Sequence, residues 1–439
     1  MRIVKGILII VVLVVIVHSL ATLILGRMVD SRVRAIKRQG MPVTAADLLG
    51  PPTPDSENAA VLYDRASAEQ GRLDEQDKAI YADTTKWRGH RRTDPVLWAQ
   101  VRQSLARRAG VIDQIEAATR LPKCRFSIRT GNAYDLNTAM FRVYARMRRL
   151  SQVLVANASF NAEDGNMDAC VRSLDLGFRV THAFDGSETM ISDLVKIAVV
   201  TMPLMHLNRI IREYEINEAQ ARRLYDGVSA LNLDFDYARV LENERVLALS
   251  MFDSIRGKGL PPGEWQPPLS WYPWRVVVTY PGRPFLYGWE LSHLRKTSRQ
   301  IDLVRSAHLQ PGGSAAEVAA VDRLVKRPEF TSEPSKMFER YISAQRRTRA
   351  MQHLAQASLA LITYRHRFGG YPANLEQLRS RLGWAVGGDP FSAGDLKYRR
   401  EGKGFLVYSI GPDRKDDRGL KPYDRARSET GDMIWTRAF

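Results

Sequence analysis

The stretch MFRVYARMRRLSQVLVANASFNAEDGNMDACVRSLDLGF, residues 140–178, decides the architecture. Met140, Tyr144, Met147, Leu150 and Leu154 recur at the spacing of one helix face. NAEDGN supplies a polar turn. Met167, Val171, Leu174 and Phe178 then lay down a second stripe of the same period. Two amphipathic helices joined by so short a turn form an αα-hairpin, which makes the chain mainly α.

The pattern continues on both sides. Downstream, a third helix is predicted from Ser187 past Met190, Leu194 and Ile197, with a kink at Pro203. Asn217 with Gln220 forms a capping box for a fourth helix carrying Leu224, Val228 and Leu231. Upstream, Pro51, Pro52 and Pro54 make a stiff break. Ser56 is the predicted cap of a helix bearing Ala60, Leu62, Tyr63 and Ala66. After TTKWRGHRRTDP another helix begins near Pro95, with Val96, Leu97, Val101 and Leu105 at helical spacing. Consecutive hairpins suggest a tetratricopeptide-like topology, although no strict repeat period is present. With 439 residues the chain has room for a sizeable core and more than one domain.

The amino-terminal segment MRIVKGILIIVVLVVIVHSLATLILGR is nearly all apolar from Ile7 to Leu25, long enough as a helix to cross roughly 30 Å of hydrocarbon. Ser19-Leu20-Ala21 has the small-x-small form of a signal-peptide cleavage site. The apolar run continues through Thr22 to Leu25, which fits a signal-anchor better than a cleavage junction. Arg2 and Lys5 flank it on one side, and Arg27, Arg32, Arg34, Lys37 and Arg38 on the other, so a bare count of charges puts the body in the cytoplasm. A short charged tail followed at once by an apolar core is instead the layout of an export signal, and long soluble domains cross largely regardless of charge. The expectation is a single-pass protein of the inner (cytoplasmic) membrane with its body outside the cytoplasm.

There are 65 Lys and Arg against 48 Asp and Glu, a formal net charge of +17. That balance favours anionic lipid or an envelope polymer as a partner, although it also serves solubility. Nucleic acid is expected only if the body faces the cytoplasm. Cys124 and Cys170 have neither a CxxC partner nor metal-ligand spacing. They read either as one disulfide or as two separate small core residues.

From Gly257 to Pro284 the chain turns rich in proline and aromatics. Trp265, Trp271, Trp274, Arg275 and Tyr280 are residue types of binding hot spots and form the candidate partner-binding surface. The other reading is that these rings pin a long loop onto the helices. Helices resume around Leu286, Ala315 and Ser335, the last running to Phe368 before Gly369-Gly370 ends it. Pro372 opens a shorter helix through Leu378. Leu396 and Tyr398 then alternate with polar residues, EGKG turns the chain, and FLVYSIG follows as a near-continuous strand, which together make a β-hairpin.

The pattern YRHRFGGYPANLEQL, DPFSAGDLKYRR, FLVYSIGPDRKDD and GDMIW resembles the C-terminal part of the major pseudopilins of type II secretion. The resemblance implies a helix, a G-x-Y-P turn, a hairpin and an aspartate-rich loop that holds calcium. The residues standing at that loop are Asp413, Asp416, Asp417 and Asp432. Arg414, Lys415 and Arg418 interleave them and offer compensation without a metal. The whole chain is similar to a group of uncharacterised bacterial membrane-anchored proteins with an ENAA-type helix start, a CRF segment and this ending in the same order, and that similarity implies the architecture alone.

The predicted order is therefore a transmembrane anchor at 1–27, a juxtamembrane linker at 28–54 and a helical domain at 55–256. A Pro/Trp-rich excursion at 257–284, a helical continuation at 285–334 and a pseudopilin-like helix plus β-hairpin domain at 335–439 follow. None of HExxH, GxSxG or a P-loop is present, and His182, His206 and His353 sit in helical stripes as core or surface residues. The expected role is a non-catalytic envelope protein presenting a binding or scaffold surface, linked through its ending to a secretion or pilus-like assembly. The alternative is a cytoplasmic-facing basic protein that binds nucleic acid or anionic membrane.

Overall fold

The computed structural model describes residues 2–49, 52–91, 93–127, 133–185, 189–258, 282–307, 315–331, 333–392, 394–423 and 430–437. In chain order the helices are α1 (Arg2–Arg38), α2 (Ala45–Leu49), α3 (Ala59–Asp77), α4 (Thr84–Trp87), α5 (Pro95–Arg107), α6 (Ala109–Ala118), α7 (Ala133–Asp164) and α8 (Met167–Arg179). They continue with α9 (Met190–Glu213), α10 (Glu218–Ser229), α11 (Tyr237–Lys258), α12 (Arg283–Ser306), α13 (Ala315–Val325), α14 (Glu333–Phe368) and α15 (Leu375–Leu382). Three strands close the chain: β1 (Lys397–Glu401), β2 (Gly404–Ser409) and β3 (Met433–Arg437). The chain is mainly helical, as its periodicity predicts. It divides into two compact units, residues 1–51, 128–141 and 236–308 in the first, and 52–127, 142–235 and 309–439 in the second. Helices sort by which apolar stripes fit together, so α11 and α12 belong with α1 although they follow it by some two hundred residues.

In the first unit α1 is one unbroken helix of 37 residues, roughly 55 Å long. It is long and apolar enough to cross a membrane, and side chains such as Leu8, Val12 and Ile16 stand open. Past Leu25 its character changes. Val29 and Ile36, with Val33 between them, form an i, i+4, i+7 stripe that packs on Leu249 of α11 and Leu291 and Leu294 of α12. Arg256 of α11 pairs with the buried Glu290 of α12 and lies over the Tyr287 ring, 5.1 Å from its centroid.

The second unit is built on α14. Leu354, Ala355, Ala357, Leu359, Ala360 and Leu361 point to all sides of that helix and all are fully buried, so neighbours must enclose it. Helices α9 and α10 and strands β2 and β3 pack against it. Polar side chains of α14 fasten the surrounding backbone. The Gln352 Nε2 amide donates to Val228 O and Leu231 O at the end of α10, and the Tyr341 hydroxyl donates to Asp193 of α9 at 2.7 Å. Helix α9 is also long and apolar enough to cross a membrane, but 56% of its apolar window is buried, which marks it as a core helix.

The predicted hairpin is α7 and α8, turned at Gly165 (φ +87°), capped by Asn166 and tied by Asn157 to Ser173. The Asn217/Gln220 capping box is present. Thr189 and Ser192 form another at the start of α9, whereas Ser187 lies outside the described residues. Helical structure runs through Pro203 without a break. Gly177 of α8 lets that proline approach, since a Cβ there would stand 3.1 Å from the ring. Asn58, and not Ser56, caps α3. Ser56 sits in a 3-10 turn, while the Asn58 side chain accepts from Ala60 N and also clamps the Arg125 backbone, which joins the ENAA and CRF segments.

The C-terminal sheet is antiparallel in the order β1-β2-β3, with Val407 facing Tyr398 on one side and Trp435 on the other. The predicted hairpin is there, and β3 adds a third strand that the sequence reading did not anticipate. Asp389 of the DPF turn accepts from Ser409 Oγ and Ile410 N, and the Tyr371 ring stands edge-on to Phe405, so the G-x-Y-P, DPF and YSIG segments form one cap.

Where α3, α5 and α6 meet, Arg108 is fully buried. It donates to Asp77 at 2.6 Å and Asp74 at 3.0 Å and stacks on Tyr81. Burial works against the charge of Asp77, yet hydrogen bonds from Arg108, Ser104 and Arg107 outweigh it and hold the carboxyl below its usual range. A depressed folded-state pKa adds stability that is fully present above about pH 4 and is lost as pH falls through the folded value. Arg108→Ala removes the buried cation shared by Asp74 and Asp77 and leaves only the more exposed Arg107 and Arg149 beside them. It is expected to cost about 3–5 kcal/mol in denaturant unfolding, and the acid sensitivity of that transition should weaken with it.

Candidate membrane-proximal site

Because Val29, Val33 and Ile36 take the packed face of α1, its five basic residues beyond Leu25 are forced outward. Arg27, Arg32, Arg34, Lys37 and Arg38 are all exposed. Where α1 lies along α12 a groove of about 580 Å³ opens, with Ile24, Met28 and Leu291 as its apolar lining and Arg27, Arg32 and Arg295 as its cations. Arg27 follows the apolar run by two residues, roughly 3 Å of helix, which is the depth of lipid headgroups on a spanning helix. A groove with an apolar floor and guanidinium groups at its mouth is complementary to an anionic amphiphile. Arg27 and Arg32 were legible in the sequence as juxtamembrane basic residues. Arg295 was not, because only tertiary packing brings α12 beside them.

Three of the four aspartates of the C-terminal loop have separate hydrogen-bonding tasks, while the Asp417 Oδ2 is buried without a partner. Asp432 is fully buried and accepts from Gly419 N at 2.7 Å and Asp417 N at 3.4 Å. Burial raises its pKa, the neighbouring Asp417 and Asp416 add to the rise, and the two amides oppose it. Asp413 accepts from Gly431 N, and Asp416 accepts from the Tyr408 hydroxyl and Arg418 N. Among the described residues no group of three or more His, Cys, Asp or Glu side chains is placed to hold a metal ion. Compensation by Arg414 does not occur either, because that side chain turns away to pair with Asp322 of α13. The loop is held by carboxylate-to-amide bonds. Gly411 and Gly431 permit its close approach, since a Cβ on Gly411 would stand 2.2 Å from Gly431 O.

Trp265, Trp271, Trp274, Arg275 and Tyr280 lie outside the described residues. The histidines are engaged in structural contacts. His206 meets the buried Ser159 Oγ at 2.9 Å, with its pKa lowered to about 4 by burial and by Arg209 and Arg88. His353 meets Gly388 O at 2.7 Å, and His182 pairs with Asp185. Cys124 and Cys170 are free thiols, each pushed up to about 12 by burial, so neither is a nucleophile at neutral pH.

A further cleft of about 650 Å³ lies between α8 and α10, with Asp175, Arg179, Arg222, Arg223 and Asp226 in its walls. Both of its carboxylates are paired, and three guanidinium groups against two carboxylates leave one net positive charge. Arg179 and Arg223 pair with Asp175, and Arg222 pairs with Asp226. Gly227 leaves room for the buried Asp175, whose Oδ1 would be 2.9 Å from a Cβ there.

Asp432→Ala removes the acceptor of two amides and is expected to lower stability by about 1–3 kcal/mol. Melts of the unsubstituted protein with millimolar calcium and with chelator are expected to coincide. A calcium-dependent rise that Asp432→Ala abolishes would instead restore the metal loop. Compared with models of known families, with curated proteins and with solved structures, the chain matches none.

Proposed function

We propose that this is a non-catalytic, single-pass protein of the inner (cytoplasmic) membrane, held by an uncleaved helix, whose mainly helical body lies outside the cytoplasm and presents a binding or scaffold surface in the cell envelope. The observation that carries the reading is the continuity of α1. Ser19-Leu20-Ala21 stands inside an unbroken helix, and the same helix supplies Val29 and Ile36 to the core of the first unit. The groove lined by Arg27, Arg32 and Arg295 supports contact with anionic lipid at the point where the chain leaves the hydrocarbon. A link to a secretion or pilus-like assembly rests on the C-terminal resemblance alone.

A second reading has a specific observation in its favour. Five exposed basic residues follow the apolar run and two precede it, which by charge count places the body in the cytoplasm, where nucleic acid or the anionic inner leaflet would be the partner.

Alkaline carbonate should leave the full-length chain in the membrane pellet. Val12→Arg with Val15→Arg, each costing about 2.5–3.5 kcal/mol at the helix centre, should release it. Reporters fused after Phe439 should be active in the form that works only outside the cytoplasm. Activity of the reporter that works only inside would establish the second reading.

A further inference from the structure

Five arginines are buried among the described residues: Arg108, Arg209, Arg245, Arg349 and Arg437. Four of them meet a carboxylate. Arg108 meets Asp74 and Asp77, Arg209 meets Glu213, Arg349 meets Asp234, and Arg437 meets Glu215. Arg245 of α11 is the exception. It is 0% exposed, its Nη2 reaches only the Met41 thioether at 3.5 Å, and its Nε and Nη1 have no hydrogen-bond partner. Glu242, one turn earlier, is engaged by Arg305 and Arg239. Burial pulls the Arg245 pKa down, Glu242 and Asp302 oppose that through space, and Arg305 and Arg32 reinforce it. A buried guanidinium with two unsatisfied donors is among the costliest groups a fold can hold.

Arg245 lines a partly open cavity of about 80 Å³ in the first unit. Its other polar walls are Arg32, Gln39, Ser298 and Asp302, and the Ser298 Oγ is also buried without a partner. A water needs about 10–15 Å³ measured in this way, so the space holds several waters or one tetrahedral oxyanion. Two guanidinium groups against one carboxylate leave a single positive charge, which matches a singly charged phosphate ester. Arg32 and Ala35 line both this cavity and the apolar-floored groove beside Ile24, Met28 and Leu291.

We infer that this cavity is a phosphate-binding site, in which Arg245 and Arg32 hold the oxyanion, Ser298 donates its hydroxyl, and the adjoining groove accommodates the apolar part of an anionic phospholipid. The lipid source rests on the reading of α1 as a membrane anchor. The phosphate chemistry does not.

The test uses the full-length protein in uncharged detergent, melted with inorganic phosphate titrated against chloride of equal ionic strength, and again in phosphatidylcholine nanodiscs with and without phosphatidylglycerol. The unfolding midpoint should rise with phosphate or with phosphatidylglycerol, and not with chloride. Arg245→Gln should weaken the apparent affinity by at least about tenfold, with Arg245→Lys between it and the parent, and Ser298→Ala by about threefold. A response to phosphatidylglycerol alone assigns the lipid, and a response to inorganic phosphate alone assigns a soluble ester. No response to either ligand, or the same response in Arg245→Gln and Ser298→Ala as in the parent, overturns the site. If carbonate releases the chain while the phosphate response persists, the anchor fails and the site stands.

Discussion

The second unit depends on one constraint, that between Leu354 and Leu361 α14 buries apolar residues on every side. A helix with Leu354, Ala355, Ala357, Leu359, Ala360 and Leu361 all buried has no face to give to water. It forms only if α9, α10 and the sheet arrive together. Its length makes the same demand on the polar groups. Tyr341, Gln345, Arg349 and Gln352 are buried too, and they satisfy neighbouring backbone at Leu231, Leu233 and Val228 and the carboxylate of Asp193. The helix therefore orders the ends of its neighbours as well as covering their apolar faces. The small residues Ala355, Ala357 and Ala360 let those neighbours approach closely where larger ones would hold them apart.

The first unit meets a different constraint, since α1 changes from apolar on nearly every face to apolar on one stripe along a single helix. Up to Leu25 every face is apolar, and beyond it one stripe is. The transition takes place without a break in the helix, so the position of Val29 and Ile36 on α11 and α12 is fixed by the same rigid rod that carries the apolar run. Five basic residues then stand exposed against the single carboxylate of Asp30, an arrangement that suits an anionic headgroup layer on chemical grounds.

Where a fold rule is local, the sequence was readable. The stripe from Met140 to Phe178 and the capping box at Asn217 depend on spacings within a few residues, and the structure has both. Strand β3 was missed for a physical reason. Its inward positions are Met433, Trp435 and Arg437, and an arginine on the buried face spoils the alternation by which a short strand is recognised. Ser56 is a good cap residue by local rules, and so is Asn58. The choice is made by Arg125, 67 residues away. The hydrogen bonds of the aspartate loop were not legible for the same reason, since nothing near Asp413 or Asp432 discloses that backbone amides donate to their oxygens or that Arg414 pairs with Asp322.

Buried arginines bring the two kinds of reading together. Arg108, in the turn between α5 and α6, and Arg245, on α11, are both charged residues of a type ordinarily found at the surface. Folding buries both and then separates them by what it places opposite. Asp74 and Asp77 come from a neighbouring helix to meet Arg108, which makes that arginine a structural clamp between α3, α5 and α6. No carboxylate pairs directly with Arg245, and it lines a cavity shared with Arg32, Gln39, Ser298 and Asp302. A fold can tolerate an uncompensated buried cation when some anion offsets its desolvation for part of the protein's life. The difference between the two residues lies wholly in their tertiary surroundings, which is why chemistry-bearing positions in this chain escape its motifs and emerge only once the hydrogen-bond partners of each buried charge have been accounted for.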